Sequence, residues 1–118
     1  MRQHEHERKI LDDLLSRTIE AEKFDFGPLE TVHLELQLGY IWYHAYTERN
    51  RLDLESGTEK QSQHRLQYRS CILFVSEDAA MLKRALPGGL ALHARLRKIR
   101  ETIKDAIRSI ENLKSGRR

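Results

Sequence analysis

Arg97, Arg100, Lys104 and Arg108 recur at intervals of three and four residues. On an α-helix that spacing sets four cations in one row about 16 Å long. Phosphates of one duplex strand lie about 3.4 Å apart along the axis, so such a row can neutralise several of them. Three of the four are Arg, whose planar guanidinium grips phosphate or carboxylate with two donors. Arg95, Lys98, Lys114 and the terminal Arg117-Arg118 widen the patch, while Glu101, Asp105 and Glu111 interrupt it and can pair with the bases. Residues 91–118 hold nine Lys/Arg and three acids, and residues 1–90 hold twelve and fifteen. The chain is therefore polarised, with a basic end on a mildly acidic body. The row predicts contact with nucleic acid or another polyanion, such as an acidic protein surface, electrostatic and indifferent to base sequence. There are no zinc-finger ligands, no aromatic-rich RNA-binding strand and no KH-type Gly loop to sharpen that reading.

A second group is aromatic. Tyr40, Trp42, Tyr43 and Tyr46 include the only Trp and three of the four Tyr. Trp, Tyr and Arg are enriched at binding hot spots, and Arg49 and Arg51 follow closely. The competing role is core packing with hydroxyls at the rim. Trp42 and Tyr43 point in different directions in any regular structure, which leaves one of them for a partner, most simply another copy of the chain.

Other chemistry is thinly represented. The six histidines are His4, His6, His33, His44, His64 and His93. Glu30-Thr-Val-His33 has the Glu-x-x-His spacing of bundle di-iron sites, but such sites need the motif twice. His4-Glu-His6 can chelate a stray transition metal from a frayed end; exposed polar positions are expected for all six. No metal and no cofactor is implied. Cys71 lies in an apolar run, where a thiolate is disfavoured. Gly88-Gly89 lacks the Lys-Ser/Thr of a phosphate-binding loop. No acid/base pair emerges, so the expectation is a binding protein and not an enzyme.

These groups depend on the elements that carry them. Gly27-Pro28, Gly57 and Pro87-Gly88-Gly89 divide the chain into four segments. In the first, Ile10, Leu11, Leu14, Leu15 and Ile19 form an apolar stripe. The second is ambiguous. Val32, Leu34, Leu36 and Leu38 alternate as in a strand, yet two helical seams also fit: Leu29, Val32, Leu36, Gly39, Tyr43 and Tyr46, and Leu34, Leu38, Ile41, Ala45 and Leu52. In the third, Thr58 to Gln61 matches a capping box, and Tyr68, Ile72, Val75, Ala79, Leu82 and Leu86 keep helical spacing. Ser76-Glu77-Asp78 also reads as a helix start after a Cys71–Val75 strand. In the fourth, Leu92, Leu96, Ile99, Ile103, Ala106, Ile110 and Leu113 keep strict 4, 3 spacing.

The expected fold is an all-α antiparallel four-helix bundle, with an α+β arrangement, α-β-β-α-α, as the alternative. In that alternative, segments 30–46 and 64–75 form an antiparallel strand pair. Residues 1–118 make a single domain, frayed at 1–4 and 115–118. The chain is 39% apolar and 33% charged, against about 45–50% and about 25% in ordinary domains, which suits helices with wet outer sides or a core completed by a partner. A single cysteine, no apolar span and no leader-like start point to the cytoplasm and away from a membrane. The functional expectation is a small helical assembly protein, a homo-oligomer or subunit of a nucleoprotein complex, whose basic C-terminal helix contacts nucleic acid. The alternative is an adaptor that works through apolar and aromatic helix contacts with a protein.

Overall fold

The computed structural model describes residues 2–23, 28–55 and 63–114. They form four helices: α1 (Arg2–Glu22), α2 (Pro28–Glu55), α3 (Gln63–Arg84) and α4 (Gly89–Lys114). Pro28 opens α2, where its missing N–H costs nothing. The capping box at 58–61 and the tail at 115–118 lie outside the described residues.

The four helices pack in a ring, α1 on α2 and α4, α3 on α2 and α4. Cross-helix contacts run in opposite senses. Arg8 meets Glu111 and Glu22 meets Arg100; Glu55 meets Arg65 and Asp53 meets Arg69; Asp78 meets Arg95 and Cys71 meets Thr102. Each neighbouring pair is antiparallel, as connections of four to seven residues require. The molecule is elongated, 47 × 28 × 20 Å.

Every helix turns one apolar seam inward. Leu11, Leu14 and Ala21 come from α1, and Leu34, Leu38, Ile41, Ala45 and Leu52 from α2. Tyr68, Ile72, Val75, Ala79 and Leu82 come from α3, and Leu92, Leu96, Ile99, Ile103, Ala106 and Ile110 from α4. Each buried Leu or Ile contributes roughly 1.5–3 kcal/mol. Leu113, at the end of the α4 seam, is exposed.

The strand-pair alternative fails. Residues 30–46 and 64–75 are helical throughout. The apparent alternation in segment two is two seams superimposed: Leu34 and Leu38 are buried, whereas Val32 and Leu36 face outward. A strand would have put all four on one face. Ser76 starts nothing either; it lies inside α3 and its hydroxyl donates to the Leu73 carbonyl at 3.0 Å. Among the described residues, no helix is long and apolar enough to cross a membrane.

Candidate functional site

The basic row of α4 is present but mostly engaged. Arg100 donates to Glu22 on α1 at 2.7 Å and lies 3.3 Å from Glu101. Arg108 donates to Asp105, and Lys104 lies 3.9 Å from Glu101. Arg97 is exposed and pairs with no carboxylate among the described residues. Nearby, Arg95 is fastened to Asp78, and Lys98 sits over the Phe74 ring. The surface of α4 is thus one of interleaved charge, with Arg97 as its least encumbered cation.

The aromatic group divides. Trp42 is half-buried against the core, stacked on Tyr46 with centroids 5.1 Å apart and covered by the Lys83 ammonium at 4.7 Å. Tyr40, Tyr43 and Tyr46 are exposed. The Arg17 guanidinium lies 4.2 Å from the Tyr40 ring centre, a cation–π contact that holds this ring at the α1–α2 groove. Val32, Leu36 and Tyr43 are 56%, 59% and 58% exposed and continue the outward seam of α2. With Glu35, Gly39, Tyr40 and Lys83, Leu36 and Tyr43 line a shallow groove.

A third group, absent from the sequence reading, lies where the start of α1, the end of α2 and the start of α3 meet. Glu7 and Glu48 are 0% and 3% exposed, although a bare carboxylate is costly to bury. Their positions explain the burial. Glu7 continues the α1 seam of Leu11, Leu14, Thr18 and Ala21, and Glu48 falls between Ala45 and Leu52 on the inner seam of α2. A carboxylate at an inner-seam position was the sequence signal for this cluster.

Glu48 is well satisfied. Its Oε2 accepts from the Tyr68 hydroxyl at 2.6 Å and from Arg51 at 2.7 Å, and its Oε1 accepts from Arg51 Nε at 2.8 Å and faces His6 at 3.3 Å. Burial works to raise the Glu48 carboxyl, and the hydrogen bonds from Arg51 and Tyr68 overcome it, leaving it below its ordinary value. Burial, with help from the same carboxylate, pushes the Tyr68 hydroxyl up.

Glu7 is satisfied on one oxygen. Its Oε2 accepts from Arg65 at 2.9 Å, and Arg65 also donates to Glu55 at 2.7 Å. Its Oε1 has no hydrogen bond among the described residues and faces His64 Nε2 at 3.4 Å and His4 Nδ1 at 3.9 Å. The two imidazoles meet edge to face with centroids 4.7 Å apart. Desolvation lowers the His64 imidazole, against the pull of Glu7. Helix continues back to Arg2, so His4 is packed against His64 and not at a loose end. The expectation of six exposed histidines fails for His4, His44, His64 and His93, all partly buried; helices from two parts of the chain close over His4 and His64.

Cys71 is buried, and burial pushes its thiol up to about 12. It packs as a small apolar residue. Compared with known protein families, characterised proteins and solved structures, this chain matches none.

Proposed function

We propose that this protein is an assembly module that pairs with a second copy of itself through the outer seam of α2. The observation that carries this reading is a helix apolar on two sides, with Val32, Leu36 and Tyr43 all more than half exposed. A bundle that worked alone would place polar residues there. Exposed apolar surface rimmed by charge marks a contact site, and tyrosines are enriched in such sites. Gly39 lies at the middle of the seam, and a Cβ added there would meet nothing within 4 Å. Two α2 helices related by a two-fold axis can therefore approach closely at Gly39. Val32 of one copy then faces Tyr46 of the other, and Leu36 faces Tyr43. The rim is self-complementary in charge, since Glu35 and Lys83 border the same groove. Sedimentation or light scattering tests the pairing: a dimer that dissociates on Leu36→Glu supports it, and a monomeric wild-type protein at high concentration rules it out.

A second reading, polyanion contact by α4, is supported by exposed Arg97 next to Lys98, Lys104 and Arg108. The Lys104–Glu101 and Arg108–Asp105 pairs are exposed and of low stability, so phosphates can displace those carboxylates. Arg100, bridged to another helix, is the least available. The same scattering measurement with added RNA or DNA separates this reading from the first.

A further inference from the structure

We propose that His4, Glu7 and His64 form a binding site for zinc, joining α1 to α3 at the end of the bundle. One ligand atom from each side chain lies within 4.8 Å of the others. Two of the separations, 3.4 Å and 3.9 Å, come near the roughly 3.3 Å edge of a tetrahedral site with bonds of about 2.0–2.1 Å. The two imidazole nitrogens, at most 4.8 Å apart, must draw closer to share one ion. Two imidazoles and one carboxylate are a recurrent zinc donor set that leaves a fourth position for water.

The second observation is the state of Glu7. It is wholly buried, and its Oε1, aimed at the histidines, makes no well-formed hydrogen bond among the described residues. A buried carboxylate oxygen in that situation is costly until an imidazole N–H or a cation closes on it, and a metal ion can bind all three side chains at once. Arg65 holds the other oxygen and is itself held by Glu55, which fixes the carboxylate plane as outer-shell partners of metal ligands do. The charges also suit a divalent ion. Glu7, Glu55 and Glu48 outweigh Arg65 and Arg51 by one negative charge in the chain of ion pairs that ends at Glu7, and imidazoles that ligate a metal are neutral.

The ring packing gives such a site a structural task. α1 and α3 lie diagonally and are held mainly through α2 and α4. A zinc ion shared by His4, Glu7 and His64 ties them directly.

The test uses the full chain, stripped with EDTA and dialysed, titrated with zinc chloride alone in a calorimeter. One zinc per chain and a rise in melting temperature are expected. His4→Ala and His64→Ala should each weaken zinc more than about 10-fold, and His6→Ala should bind like the wild type. Circular dichroism checks that each variant keeps its helices; His4→Gln and His64→Gln replace any alanine variant that does not. Affinity unaltered by the His64 substitutions, affinity lost with His6→Ala, or a melting temperature indifferent to zinc would each overturn the site. The first two would assign the ion to a simple chelate by the N-terminal His4-Glu-His6 string.

Discussion

Glu7 and Glu48, carboxylates buried on two different helices, are the ends of one chain of ion pairs. Arg65 binds Glu7 and Glu55, and Arg51 binds Glu55 and Glu48. Glu55, at the end of α2, thus joins the starts of α1 and α3 to the inner seam of α2. Buried pairs of this kind are weak evidence of net stability, but breaking one leaves an uncompensated charge and is costly.

Tyr68→Phe removes one donor from Glu48 without altering packing volume. A hydrogen bond to a charged group contributes about 1.5–3 kcal/mol, and urea unfolding should show a loss of that order. A loss below about 0.5 kcal/mol would mean that Glu48 has other donors in reserve.

Glu48 also sets an acid limb. Its folded-state carboxyl is lowered relative to the unfolded chain, so the unfolded state binds the proton first as pH falls. The stabilisation is complete above the unfolded value and is lost as pH drops through the lowered folded value. Melting temperature should therefore begin to fall as pH drops toward the ordinary Glu value of about 4.3, and go on falling below it. Glu48→Gln should melt lower at pH 7 and lose part of this slope; a slope identical to wild type would assign the acid sensitivity elsewhere.

Leu36→Glu and Tyr43→Glu place charge on an exposed seam. Stability of the isolated bundle should shift by no more than about 0.5 kcal/mol, because neither side chain is in the core. Solution mass should halve. Retention of the dimer in both variants would move the contact to another face.

Arg97→Ala and Arg100→Ala should separate binding from folding. Arg100→Ala loses a cross-helix ion pair, half-buried at both ends, and should cost about 0.5–1 kcal/mol with little effect on polyanion affinity. Arg97→Ala should leave stability unchanged and reduce the slope of log K against log salt by about one. Equal slopes for Arg97→Ala and wild type would end the polyanion reading at that residue.

Cys71 should resist alkylation in the folded protein and react on unfolding. It is buried, its thiol is pushed up to about 12, and its Sγ lies 3.7 Å from the Thr102 carbonyl oxygen. Fast modification under native conditions would show local opening between α3 and α4.

The helices were legible in the sequence because burial imposes a 3.6-residue period on each one independently. The α4 seam reads directly from spacing; the seams of α2 and α3 are present in the spacing too, but beside strand patterns that compete with them. Even Val32–Leu38, ambiguous by alternation, contained both seams; only neighbours on one side decided which of them is core. What spacing could not supply is the company each polar side chain keeps. Arg100 belongs to the same helical row as Arg97, yet Glu22, 78 positions away in sequence, takes it out of circulation. His64 reads as one more polar residue until α1 brings His4 and Glu7 against it. Periodicity is a local property, fixed by each helix facing one core. Pairing of charges is decided by which helix ends the ring brings together, and only the tertiary structure holds that information.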